Sequence, residues 1–358
     1  MVLICISVER MQKPLAALAL AAASVIVLSG CSVTGTTQGA DDDTVRVVAS
    51  TNIYGSLAAQ IGGERVDVTS LIDSVSKDPH SYEATARDRL AVQKADLVIE
   101  NGAGYDSFMT ELLDGSDAAV ITAARLSHDY PPPPDEAHVH LNADEKAKHD
   151  EEATDHDAGD HDADDHDADD HDEGHSHQGH NHIKGFNEHV WFDVHTMTHV
   201  VEAIAEELTE IDPAGKADFA SAADELITEL SGMEDELDGL HEKHEGQQVF
   251  ITEPLPGLLA AAMGLDDATP DGFASAVEEG NDVPPAVLLD ALAVLDDGEV
   301  RAVLTNAQTG GSETQRVEKA AADAGIPVVT FSELLAPDQS YAEWMRAAIS
   351  DLVTALDR

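Results

Sequence analysis

The sequence predicts an α/β protein of two lobes, each a mostly parallel sheet with flanking helices, joined by one long rigid helix. Three observations predict it. Short β-rich runs alternate with helical-period segments over residues 45–100 and again from residue 248 onward, the pattern of βαβ units and a parallel sheet. Between these blocks lies a 33-residue stretch, 213–245, whose apolar positions recur at helical spacing. The length of 358 residues suits about two domains at roughly 100–200 residues each.

Taken in order, residues 45–50 (Val-Arg-Val-Val-Ala-Ser) read as a strand, 53–61 as a helix ending at Gly62-Gly63, 66–72 as a second strand and 95–100 as a third. In parallel sheets, ligand-bearing residues sit beyond the carboxyl ends of strands. His80, in the loop after the second strand, occupies such a place. After residue 193, Val194, Met197, Val200, Val201, Ile204 and Leu208 mark one helical face. Asp212-Pro213 then gives a start signal, an N-cap acid followed by proline at the first helical position. Phe219, Leu226, Leu230, Met233, Leu237 and Leu240 continue the period to Gly246. At helical rise, 33 residues span roughly 50 Å, enough to run the height of both lobes. The second lobe reads as strand 248–252, helix 258–263, helix 286–295, strand 300–305, helix 313–324, strand 327–331 and helix 341–356. Glu253 follows directly on the first of these strands, again at a ligand-bearing place.

Composition narrows the function. A net charge of −52 argues against nucleic acid or anionic lipid as a direct partner, because both would be repelled. Part of the charge is local: residues 135–173 carry 18 Asp or Glu and two bases, Lys146 and Lys148. Eleven of the 18 histidines lie between His138 and His182, and His156, His161, His166 and His171 recur every five residues before His175, His177, His180 and His182. So polar a tract cannot bury enough surface to order itself. The expectation is a disordered Asp/His-rich insertion, 135–184, that binds divalent metals loosely. His189, in Asn187-Glu188-His189-Val190-Trp191-Phe192-Asp193, stands where apolar periodicity resumes. Asp193 reads as a helix cap, and His195, His199, His241 and His244 as surface residues.

At the N-terminus, Arg10 and Lys13 precede an apolar run, 14–28, that ends in Leu28-Ser29-Gly30-Cys31. About 15 residues is short for a bilayer span and suits a signal h-region. The expectation is a lipoprotein signal peptide, 1–30, starting at Met1 or Met11, with cleavage before Cys31 and lipid attached to its sulfur. Residues 31–44 would be a flexible tether. Cys5 falls in the removed segment, so disulfide and Cys-based chemistry are excluded from the mature body. The remaining boundaries are an N-terminal lobe 45–193, a helical connector 194–246 and a C-terminal lobe 247–358.

Six tracts together carry a family resemblance. They are 49–55 (Ala-Ser-Thr-Asn-Ile-Tyr-Gly), 78–83 (Asp-Pro-His-Ser-Tyr-Glu), 101–105 (Asn-Gly-Ala-Gly-Tyr), 187–193, 252–257 (Thr-Glu-Pro-Leu-Pro-Gly) and 306–310 (Asn-Ala-Gln-Thr-Gly). The chain resembles the zinc/manganese solute-binding proteins of bacterial metal-uptake ABC transporters. The resemblance implies two lobes bridged by a rigid helix, with a metal site in the interlobe cleft. By the same resemblance His80, His189 and Glu253 are metal ligands. A fourth is expected within 305–311, where no carboxylate occurs, so Gln308 or a water molecule takes that place. Two imidazoles and a carboxylate suit Zn²⁺, whereas Mn²⁺ prefers more oxygen ligands. The implied function is an extracytoplasmic, lipid-anchored receptor that delivers Zn²⁺ (alternatively Mn²⁺) to a membrane permease and performs no chemistry. Competing expectations are a metal-buffering or adhesive surface lipoprotein and a zinc-dependent hydrolase. No His-Glu-x-x-His motif and no serine nucleophile elbow occur in the chain.

Overall fold

A computed structural model describes residues 44–132 and 183–358, apart from Val75, Ser76, Asp78 and Lys184. The expected signal peptide, Cys31, all but the last residue of the tether, and the Asp/His-rich histidines from His156 to His182 lie outside the described residues. Among the described residues no helix is long and apolar enough to cross a membrane.

The N-terminal half builds β1 (Val45–Thr51), α1 (Asn52–Gly62), β2 (Val66–Ile72), α2 (Ala86–Val92), β3 (Leu97–Glu100), α3 (Phe108–Leu113) and β4 (Ala119–Thr122). Two helices follow, α4 (Val194–Ile211) and the 29-residue α5 (Lys216–His244). The C-terminal half contributes β5 (Gln248–Ile251), α6 (Gly257–Ala262), β6 (Asp266–Asp267), α7 (Phe273–Glu278) and α8 (Pro285–Asp296). It closes with β7 (Val300–Asn306), α9 (Ser312–Ala324), β8 (Val328–Phe331) and α10 (Tyr341–Leu356). Each half holds one four-stranded sheet, ordered β2-β1-β3-β4 and β6-β5-β7-β8. All pairings are parallel, so the predicted class holds.

Why these segments form these elements is local. β1 and β7 are near-continuous apolar runs, as strands buried on both faces require. Asp193 caps α4, its carboxylate accepting from the His195 N–H, and Ser340 caps α10 with Glu343 completing a capping box. Asp212 accepts from the Ala214 N–H, and Pro213 opens a single 3₁₀ turn before α5 begins. The long helix is therefore shorter at its start than its apolar period suggested. Sequence reading named none of α2, α3, β4, β6 and α7, which are two to seven residues long.

One apolar core runs through both halves. It joins Val47, Ile53 and Leu57 of the first half to Leu226 and Leu230 of α5, and to Ile251, Leu304 and Met345 of the second. Smaller cores lie on the outer sheet faces, around Phe250, Phe273 and Val317 and around Val48, Val98 and Met109. Burial at such positions contributes about 25 cal/mol per Å² removed from water, so separating the halves would expose a large apolar surface. Polar clasps add to it. Asn52 Nδ2 donates to the Leu335 carbonyl at 2.9 Å, and its Oδ1 accepts from the Leu335 N–H at 3.0 Å. His244, expected at the surface, is instead buried at the end of α5 with 1% exposure.

Two outcomes follow from this packing. Asn52→Ala removes both bonds to Leu335, each worth about 0.5–1.5 kcal/mol, and should lower the urea midpoint without changing the slope. Glu100 is mostly buried, accepts from the Thr122 hydroxyl at 2.9 Å, and has its carboxyl raised from 4.5 to about 7 by burial first and Asp106 second. Between those pH values the native state holds a proton that the unfolded chain has released, so stability from this group falls as pH rises through the window. Glu100→Gln keeps an acceptor for Thr122 and should melt higher than the parent protein above pH 7, with the difference vanishing near pH 4.5.

Candidate metal centre

His80, His189 and Glu278 each offer a ligand atom, and these atoms lie within 4.8 Å of one another. His80 sits in a turn beyond the carboxyl end of β2, 6% exposed, and His189 is 1% exposed just before the turn 190–192. Their ring centroids are 6.0 Å apart. Glu278 is the last residue of α7, and its Oε1 stands 3.8 Å from His189 Nε2.

The surroundings fix the imidazole of His189. Asn187 Oδ1 accepts from the His189 backbone N–H at 3.0 Å and lies 2.8 Å from Nδ1. An amide oxygen only accepts, so the proton belongs on Nδ1 and the lone pair on Nε2, the atom that faces Glu278. Asn187 Nδ2 in turn donates to the Pro254 carbonyl at 2.9 Å, tying the His189 loop to the opposite half. Gly257 permits that approach, because a Cβ there would stand 3.0 Å from Asn187 Nδ2. Asn101 Nδ2 donates to the Glu188 carbonyl, and the Tyr341 hydroxyl to the Trp191 carbonyl. Trp191 packs its ring 5.2 Å from that of His189.

Two further buried carboxylates stand just beyond strand ends. Glu253, two residues beyond β5 and 1% exposed, accepts from the Thr309 hydroxyl. Glu333, two residues beyond β8 and fully buried, has Oε2 at 3.9 Å from His80 Nε2. It accepts from the Tyr105 hydroxyl at 2.9 Å and from Asn306 Nδ2 at 2.6 Å. Burial first, and the charge of Glu333 second, push the Tyr105 phenol well above its ordinary value, so it stays a donor. Gln308 braces this loop: its Oε1 accepts from the Glu333 N–H at 3.2 Å, and its Nε2 donates to Ser332 Oγ at 2.9 Å.

Of the residues read from sequence, then, His80 and His189 come together. Glu253 is buried and bonded to Thr309 but is not one of the group of three, and Gln308 has both ends of its amide engaged with residues 332 and 333. Sequence reading missed Glu278 and Glu333. The second had a usable signal, since it follows a strand by the same two-residue step as Glu253. The first had none, because α7 is one short turn-and-a-half between Gly272 and Gly280, both left-handed.

Comparison with known proteins bears on the family and the fold. The chain is 24% identical over 247 residues to the manganese-binding lipoprotein MntA of Halalkalibacterium halodurans, covering 67% of this chain and 65% of that protein. It is 35% identical over 79 residues to the iron ABC transporter substrate-binding lipoprotein MtsA of Streptococcus pyogenes, covering 22% of this chain and 25% of the relative. The chain thus spans less than two thirds of the length of either curated relative. Among solved structures, the periplasmic zinc-binding protein TroA from Treponema pallidum superposes with a TM-score of 0.63 at 17% identity, over 88% of this chain and all of that one. Residues 47–355 match the family described as ZnuA, zinc-uptake complex component A, periplasmic, and the chain belongs to that family.

Proposed function

We propose that this protein is the extracytoplasmic receptor of a metal-importing ABC transporter, holding Zn²⁺ between its halves and passing it to a membrane permease. The observation that carries this is the buried convergence of His80, His189 and Glu278 donor atoms. Metal binding draws on the deprotonated forms of such ligands and releases their protons. Two imidazole nitrogens with carboxylate oxygens suit Zn²⁺ at about 2.0–2.2 Å, and Zn²⁺ outcompetes Mn²⁺ and Fe²⁺ at most such donor sets. On this reading His80 and His189 hold the cargo together with Glu278, Glu253 and Glu333, the last replacing Gln308 or water as the further ligand.

The role is binding without chemistry, in keeping with names given to the relatives, which describe substrate-binding and metal-binding lipoproteins. Those names also support the lipid anchor at Cys31, the signal peptide before it and an extracytoplasmic location. The Asp/His-rich tract, by this reading, collects ions loosely around the central site. A second cargo, Mn²⁺, is favoured by one specific observation. Two glutamates that the sequence did not single out, Glu278 and Glu333, approach the central histidines, and Mn²⁺ prefers oxygen-rich coordination.

Titration against a chelating indicator, in competition between Zn²⁺ and Mn²⁺, tests both. The double variant His80→Ala/His189→Ala should lose the tight site for either ion, and retained tight binding would end the receptor reading. A parent protein that holds Mn²⁺ against a several-fold excess of Zn²⁺ would overturn the zinc assignment. Asn187→Ala removes the group that sets the His189 tautomer and should weaken metal affinity about 10–100-fold, as loss of an outer-shell partner does, while leaving the fold intact by circular dichroism.

A further inference from the structure

We infer that the first turns of α4 carry a second metal site, an exposed imidazole chelate made by His195 and His199 with His128 beside them. It takes a divalent cation of the nitrogen-preferring class, Zn²⁺, Cu²⁺ or Ni²⁺, and it is separate from the central site.

The argument starts with spacing. His195 and His199 are four residues apart on α4, so their side chains leave one face of the helix as vertical neighbours. Two histidines in this register can grip one ion from a helix face. Their ring centroids are 4.9 Å apart, and the side chains are 61% and 45% exposed. His128, in the loop before the Pro-rich stretch, lies with its ring 6.5 Å from that of His195 and is 67% exposed.

The second observation concerns tautomers. His195 Nδ1 is 3.1 Å from Glu234 Oε1, and His199 Nδ1 is 3.0 Å from Glu202 Oε2. Carboxylates only accept, so both Nδ1 atoms carry their protons and both lone pairs sit on Nε2 when the rings are neutral. A carboxylate behind each histidine is the arrangement that metal-ligating imidazoles almost always use, since it orients the ring and raises its basicity. Here it occurs twice on one helical turn. His128 adds its own acids, with Nε2 3.4 Å from Asp129 and Nδ1 3.9 Å from Asp193. A cation at a helix N-terminus opposes the macrodipole; the charges of Asp193, Glu202 and Glu234 offset that cost. With imidazole as the donor type, Mn²⁺ is disfavoured. Water access on one side makes this site weaker than a buried one.

Site-resolved footprinting on the full chain tests the inference. Brief treatment with diethyl pyrocarbonate, followed by peptide mapping, reads the reactivity of each histidine with and without metal. The His80→Ala/His189→Ala variant is used, so that filling the central site plays no part. Zn²⁺ should suppress modification of His195 and His199, and equal Mn²⁺ should leave both reactive. In the same background His199→Ala should abolish the protection of His195. Unchanged reactivity with Zn²⁺, equal protection by Mn²⁺, or protection of His195 that survives His199→Ala would each overturn the chelate. Failure of the central site to empty in the double variant would instead count against the receptor reading.

Discussion

The convergence of the His80, His189 and Glu278 donor atoms within 4.8 Å of one another is the constraint on which this structure turns. Glu333 Oε2 also stands 3.9 Å from His80 Nε2, and Glu333 and Glu253 are both buried. Buried polar groups need hydrogen-bond partners. Tyr105, Asn306 and Thr309 each give a hydrogen bond to one of these carboxylates. These bonds hold each carboxylate in a fixed orientation.

Holding such a centre together requires a frame that keeps its elements in register. The shared core through α1, α5 and α10 gives that frame its cost of separation. The Asn52–Leu335, Asn187–Pro254 and Tyr105–Glu333 contacts join distant parts of the chain, the last two beside His189 and Glu333. A 29-residue helix packed against both halves resists bending more than extended crossovers would. Function and stability therefore draw on the same few polar residues, which sit at strand and helix ends where backbone direction changes.

Most of the frame was legible in the sequence because buried parallel strands and amphipathic helices each leave a period. Val66–Ile72 and Tyr341–Leu356 match their expected bounds; most of the other expected elements shift by a residue or two, as frayed ends do, and the long helix starts three residues late, at Lys216. His80, His189 and Glu253 were legible through flanking motifs and their places after strands. At the place expected for a fourth ligand, Gln308 has both ends of its amide engaged by residues 332 and 333. Residues 306–308 support the 332–333 loop, and it is Glu333 that carries the acid. Glu278 was invisible for a different reason. Six residues of helix between two left-handed glycines make too little periodicity to read, and its approach to His189 is wholly a tertiary fact. His244 was misplaced because a terminal helical position says little about what another element lays over it.

The Asn52 clasp addresses the main chain of residue 335, not its side chain. Any residue apolar enough for that buried position would present the same N–H and carbonyl, whereas few side chains other than asparagine's can donate and accept in one plane at position 52. Selection should therefore bear unequally on the two ends of one contact. The chain can drift at the receiving end across generations while the giving end stays fixed.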